Sequence, residues 1–340
     1  MIRMINTHAE GEIGYVAVEG VPEIAGDTLA EKLATLNKGD DALRRMLTLA
    51  PRGNPASSVN LLFPPQHPDA DIGFIVLQPD QAHASSGSNS ICVVTALLET
   101  KMLPAKDGEV PITLETAAGL IAVQADWAGG KCRSVTLDMV PSFVEMLDCP
   151  IFSPEWGQLS VDICYGGIFY ALVDAGQIGL SIIPENAARL AAAGMALKDI
   201  INAHHKVVHP QIPEISGIAY VMFTEAIGPN EVRTATIMAP GRIDRSPCGT
   251  GSSAHLASMA ARGQIVVGEQ IITRSIIGSR FEVTLMGINE VAGRTAIMPR
   301  IKGRGWRFGE TSITVDASDP FADGFAVTDV WGPDANSLNR

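Results

Sequence analysis

Ser85-Ser86-Gly87-Ser88-Asn89-Ser90 and Ser246-Pro247-Cys248-Gly249-Thr250-Gly251 decide how this chain is read. Laid over each other so that Ser86 matches Cys248, both run nucleophile-Gly-hydroxyl. Each is followed by small residues and then by helical periodicity, over 91–100 in the first case and 253–261 in the second. The exits match as well, Lys101-Met102-Leu103 against Arg262-Gly263-Gln264. The two turns lie 162 positions apart in a chain of 340, close to half its length. That spacing implies two related domains, each presenting one such turn at a helix start.

Working outward, short apolar runs bounded by Gly, Pro, Asp and Asn read as strands. They cover 13–18, 71–77, 120–123, 161–163, 169–173, 218–223, 234–238 and 281–285. Helical periodicity is clearest over 27–46 behind a cap at Asp27, over 89–100, over 184–193 and 197–204 with a break at Gly194, and over 252–261. Many strands with a few buried helices predict an α/β protein of the α+β kind. At 340 residues the chain exceeds one comfortable core. We divide it into 1–155 around the Ser86 turn and 156–340 around the Cys248 turn, with the stretch after about 311 packing back onto the first domain.

Composition narrows the function. With 46% apolar and 18% charged residues the chain reads as globular. A net charge of −12 with no Lys/Arg run to offset it argues against a nucleic-acid partner. The first twelve residues carry acids and lack a signal-peptide core, and no apolar run is long enough to span a bilayer, so a cytoplasmic protein without membrane attachment is expected. The five cysteines, Cys92, Cys132, Cys149, Cys164 and Cys248, form no CxxC pair and suggest neither a disulfide framework nor a zinc knuckle. They are expected to be reduced thiols, on a monomer or homodimer.

The physics of the two turns points to a small anionic ligand. A helix start leaves its first N–H groups unpaired and carries partial positive charge. Gly87 and Gly249 let a ligand approach the backbone closely, and a carboxylate suits such a place. The same field is expected to lower the pKa of the Cys248 thiol. A cysteine in a Gly-rich turn is nonetheless more often structural than catalytic. Gly249-Thr250-Gly251-Ser252-Ser253-Ala254 also fits the GxGxxA dinucleotide fingerprint, but 244–247 intervene where the motif should leave a strand directly.

Asp244-Arg245-Ser246-Pro247-Cys248-Gly249-Thr250-Gly251 resembles the second catalytic signature of the proline racemase family, which includes proline racemases, 4-hydroxyproline 2-epimerases and trans-3-hydroxy-L-proline dehydratases. Further similar segments are Thr7-His8-Ala9-Glu10-Gly11-Glu12, Pro51-Arg52-Gly53 and Tyr165-Gly166-Gly167-Ile168-Phe169-Tyr170. The resemblance implies two pseudo-symmetric halves like those of diaminopimelate epimerase, a site in the cleft between them, and no metal or organic cofactor. It assigns Cys248 as acid/base and Asp244 as partner of the substrate's ring nitrogen. The amides of Gly87, Ser88, Gly249 and Thr250 become a carboxylate cradle. In the racemases the first turn is similar to Cys-Gly-His, with two cysteines working on opposite faces of the α-carbon. Here Ser86-Gly87-Ser88 stands there instead.

A serine hydroxyl is a far weaker acid and base than a thiol unless a neighbour activates it, and neither Ser85 nor Ser88 is an evident activator. The departure therefore favours a one-base reaction. The first expectation is dehydration of trans-3-hydroxy-L-proline to Δ1-pyrroline-2-carboxylate, with Ser86 delivering a proton or steadying the leaving hydroxyl. The alternative is 4-hydroxyproline 2-epimerisation, alone or alongside dehydration. A non-catalytic amino-acid-binding protein is the third reading, disfavoured because binding alone needs no thiol. Among other candidates, His204, His205 and His209 cluster as metal ligands can, but read better as a solvated helix end. His83 precedes the first turn, His8 and Glu10 are taken as structural support, Cys92 and Cys164 as core, and Phe169 as a residue lining the pocket. Asn89 and Ser90 are helix-start residues.

Overall fold

The structure is a computed structural model that describes residues 1–38, 41–213 and 215–327. It separates into two compact units, Met1–Val135 with the segment from Arg304 onward, and Thr136–Gly303. The first division thus falls at 135 rather than at 155. The reason is pairing: the strand over 142–153, unread in the sequence, joins 157–165 in an antiparallel ladder and so belongs to the second unit.

The first unit opens with an antiparallel pair, β1 (Ile2–Ala9) and β2 (Glu12–Glu19). Helix α1 (Leu29–Lys38) follows. Its start is a capping box one residue beyond the cap expected at Asp27. Glu31 N donates to Thr28 Oγ1 (3.1 Å), and Glu31 Oε2 accepts from Thr28 N (3.0 Å). The helix expected over 27–46 crosses 39 and 40, which lie outside the described residues, and α2 occupies Ala42–Thr48. Strand β3 (Ser58–Phe63) runs parallel to β2, and β4 (Ile72–Leu77) antiparallel to β3. A two-residue strand, β5 (Ala82–His83), pairs antiparallel with β4. Then come α3 (Gly87–Glu99), β6 (Gly108–Thr116) parallel to β4, β7 (Gly119–Ala128) antiparallel to β6, and β8 (Lys131–Asp138), which spans the division.

The second unit repeats this plan. Strands β9 (Ser142–Ser153), β10 (Gly157–Tyr165) and β11 (Phe169–Asp174) form antiparallel neighbours. After α4 (Ala187–His204), β12 (Ile218–Gly228) runs parallel to β11 and β13 (Glu231–Met238) antiparallel to β12. A two-residue strand again follows, β14 (Arg242–Ile243), antiparallel to β13. Then come α5 (Gly249–Ala261), β15 (Gln270–Arg274) parallel to β13, and the antiparallel strands β16 (Arg280–Val291) and β17 (Arg294–Gly303). Because β17 also pairs with β9, the strands close into a ring. The last described strand, β18 (Gly305–Ile313), pairs antiparallel with β1.

The internal repeat is therefore visible in both length and topology. Helices α3 and α5 each have 13 residues and follow a two-residue strand. Both are buried nearly all round, so both are built of small and apolar residues instead of an amphipathic stripe. In the second unit the alternation along β11 separates two cores. Phe169, Ala171 and Val173 pack with Leu190, Leu197 and Ile201 of α4, while Tyr170 and Leu172 pack with Cys248 and Ala254. Gly194 does not break α4. A Cβ there would lie 2.3 Å from Ile237 Cγ1, so the glycine lets the helix lie close on β13.

Candidate active site

Cys248 caps α5 with φ 65°, ψ 106°, a left-handed conformation that L-residues rarely adopt. The surrounding octapeptide holds it there. Asp244 N donates to Thr236 O (2.9 Å), and Ser246 N donates to Asp244 Oδ1 (2.8 Å). Cys248 N donates to Ser246 Oγ (3.1 Å). The Pro247 carbonyl accepts from Thr234 Oγ1 (3.0 Å) and Ser252 Oγ (3.2 Å). A side chain on Gly166 would strike the Thr250 carbonyl at 2.1 Å, which explains the glycine in Tyr165-Gly166-Gly167: that turn packs against the first turn of α5.

Cys248 is 6% exposed, and its sulfur lies 3.4 Å from Tyr170 Oη and 3.9 Å from Thr250 Oγ1, with those two hydroxyls 2.6 Å apart. Burial and then the Asp244 charge push its pKa up to about 11, against the opposing hydrogen bonds of Tyr170, Thr236 and the Gly251 amide. The lowered pKa expected from the helix start is not found, because desolvating a thiolate outweighs a few oriented donors. Burial also holds the Tyr170 phenol well above its ordinary value, so it stays protonated and able to donate to sulfur. Cys248, Gly249, Thr250 and Asp244 thus come together. Cys248 gives α5 no side-chain cap, and the first amides of a helix have no intrahelical acceptor.

The first turn is wired differently. Ser86 caps α3 in extended conformation, φ −160°, ψ 129°. Its Oγ accepts from Asn89 Nδ2 (3.0 Å) and from Asn89 N (3.5 Å), with Ser88 Oγ at 3.4 Å. Gly87 and Ser88 are buried at the helix start. Asn89, read in the sequence as a helix starter only, is the residue that engages the hydroxyl.

Sequence reasoning missed Tyr170. The segment 165–170 points to the site, but the sequence favours the neighbouring Phe169 as the residue lining the pocket. Neighbouring strand residues face opposite ways, and Phe169 is fully buried beside Phe143 and Tyr165 in the core against α4. The three histidines disperse. His204 Nδ1 lies 2.8 Å from Ile200 O, His205 Nε2 lies 3.3 Å from Cys149 Sγ, and His209 Nδ1 accepts from the amides of Gln211 and Ile212. His83 Nε2 lies 3.5 Å from Asp80 Oδ1. His8 stacks on Trp306, and Cys92 and Cys164 are core. No described helix is long and apolar enough to cross a membrane.

Two repeats, each burying a central helix that starts at a cysteine or serine cap, define an α+β fold of the epimerase type. The chain belongs to the proline racemase family: the model described as proline racemase matches residues 4–326. Among its relatives, a 4-hydroxyproline 2-epimerase of Rhizobium etli is 58% identical over 340 residues, covering 99% of this chain and 98% of the relative. Another 4-hydroxyproline 2-epimerase, from Agrobacterium fabrum, is 56% identical over 339 residues, with coverage of 99% and 98%. The crystal structure of a hydroxyproline epimerase from Agrobacterium vitis, with bound trans-4-hydroxy-L-proline, superposes with a TM-score of 0.93 at 54% identity and coverage of 99% and 97%.

Proposed function

We propose that this enzyme interconverts the C2 epimers of 4-hydroxyproline, with Cys248 serving one face of the α-carbon and Ser86 the other. The observation that carries the proposal is the near-complete match, at 58% identity, to the epimerase of R. etli. It favours the second of the two activities expected from the sequence over dehydration. In this reading the amides of Gly87, Ser88, Gly249 and Thr250 bind the carboxylate, and Asp244 holds the ring ammonium. Both contacts stabilise the carbanion formed when the α-proton leaves.

The perturbed thiol fits this scheme. In the free enzyme Cys248 is neutral, because burial and Asp244 both disfavour its anion. Substrate brings a cation to Asp244 and removes the repulsion that raised the thiol. The thiolate then forms where it is needed, beside the Tyr170 hydroxyl at 3.4 Å. Ser86 carries the other half of the reaction: its proton passes to the carbanion on the opposite face, and the reverse transfer runs the reaction backward.

The test is incubation with trans-4-hydroxy-L-proline and, separately, trans-3-hydroxy-L-proline in D₂O, followed by proton NMR. The expected product is cis-4-hydroxy-D-proline deuterated at Cα. Conversion of the 3-hydroxy compound to Δ1-pyrroline-2-carboxylate, with the 4-hydroxy compound unchanged, would show a dehydratase instead. Cys248→Ala should abolish turnover and spare ligand binding; full activity in that variant sinks the mechanism.

A further inference from the structure

Ser86 stands where a thiol would titrate on its own, so the hydroxyl needs help from its surroundings. The structure shows a directed chain of amides behind it. Asn60 Nδ2 donates to the Tyr15 backbone carbonyl (3.1 Å) and to Asn89 Oδ1 (3.0 Å). Asn89 Nδ2 in turn donates to Ser86 Oγ (3.0 Å). A backbone carbonyl can only accept, so it fixes which end of the Asn60 amide faces it. Asn60 then fixes Asn89, and Asn89 is left presenting N–H groups, not oxygen, to Ser86. Both asparagines are buried, Asn60 completely and Asn89 at 2% exposure. The network is costly, since Asn60 Oδ1 is buried without a partner. Such an arrangement is poorly explained by stability alone. Gly14 keeps room for it: a Cβ there would lie 2.8 Å from Asn89 Oδ1 and 3.1 Å from Asn60 Nδ2.

We propose that Asn60 and Asn89 are positioning residues that wire Ser86 as a proton donor. Asn89 Nδ2 (3.0 Å) and, at longer range, Asn89 N (3.5 Å) point at the hydroxyl's lone pairs, so its own hydrogen is left to turn toward Ser88 Oγ (3.4 Å) or a ligand. When the Ser86 O–H bond breaks and the proton forms the new C–H bond, the electron pair stays on Oγ. There the same two donors stabilise the alkoxide until the reverse reaction or solvent returns a proton. The proposal rests on the reading that Ser86 serves one face of the substrate, and it assigns the second layer that makes a serine adequate there.

The experiment follows deuterium at Cα in D₂O, starting from each C2 epimer of 4-hydroxyproline, in wild type, Asn89→Ala and Asn60→Leu. In wild type, exchange accompanies inversion from both sides. Removing one preorganised donor of this kind slows a reaction by about 10²-fold, so Asn89→Ala should lose inversion on that scale. The epimer whose α-hydrogen faces Cys248 should continue to exchange without inverting. Asn60→Leu, which leaves Asn89 unregistered, should show the same pattern to a smaller extent. Placing each substitution in a Ser86→Cys background separates wiring from packing. A thiol needs no such help, and the loss there should fall to within about threefold. Inversion in Asn89→Ala close to wild type, or an equal loss in the Ser86→Cys background, would overturn the proposal. A wild type that neither inverts nor exchanges either epimer refutes the epimerase reading itself, and the relay with it. That failure is read before any variant is made.

Discussion

Gly251→Ala should separate catalysis from stability. Gly251 is the third residue of α5, and a Cβ there would lie 2.8 Å from Met222 Sδ, 3.1 Å from Cys248 Sγ and 3.3 Å from Tyr170 Cε1. On the stability side, alanine in a helix is favoured over glycine by up to about 1 kcal/mol. Overpacking a tight core costs about 1–3 kcal/mol, but the nearest atom is the end of a flexible methionine, which can move. The net loss should therefore be about 0–2 kcal/mol, a fall in Tm of several degrees at most. On the catalytic side, the sulfur must yield by a few tenths of an ångström and move relative to the Tyr170 hydroxyl and the Gly251 amide. Misplacing a reacting atom by 1 Å costs about 10²-fold. A fall in kcat/KM of about 3- to 10-fold is expected, about 0.7–1.4 kcal/mol of transition-state stabilisation. The assay is epimerisation of 4-hydroxyproline at several concentrations, paired with a thermal melt. Unchanged kcat/KM would show that the sulfur's position is not tightly set by its neighbours, and the reasoning would fail. An activity loss matched by gross unfolding would refute it from the other side.

In α4, Gly194→Ala places its Cβ 2.3 Å from Ile237 Cγ1 and 2.7 Å from Ile237 Cβ, a branched stem that cannot swing away. A net loss of about 1–2 kcal/mol is expected despite the better helix propensity, read as a lower melting temperature with activity retained below it. Thiolate absorbance at about 240 nm should stay flat through neutral pH, since burial raises every cysteine and Cys248 stands at about 11. With a folded pKa about 2 above the free thiol's 9.0, the stability from keeping Cys248 neutral is fully present below pH 9. It is lost as pH rises toward about 11, by up to about 3 kcal/mol, and alkaline denaturation of Cys248→Ala should lack that component. Asp244→Asn keeps an oxygen for the Ser246 amide and removes the charge that raises the thiol. Cys248 should therefore ionise at lower pH while turnover falls, because the substrate ammonium has lost its partner. A rise in both would argue against Asp244 as that partner.

The sequence by itself determined the repeat, the strand-rich fold class and the second turn. These are local signals: two nucleophile-Gly-hydroxyl turns at half-chain spacing, and an octapeptide whose Pro, Gly and hydroxyl residues define a single turn. Only tertiary structure decided what surrounds the reactive atoms. Tyr170 reaches the Cys248 sulfur because β11 turns that face, and not the Phe169 face, toward α5. Asn60 and Asn89, 29 positions apart, meet only because α3 packs against the strands of its unit. The sign of the Cys248 shift depended on burial, which the turn motif does not encode. The break inferred at Gly194 failed for the same reason: glycine lowers helix propensity locally, but here it is required by a strand 43 residues further along the chain, at Ile237. Helix starts and turns are written in contiguous residues, whereas desolvation and hydrogen-bond direction are set by whichever groups the fold brings alongside.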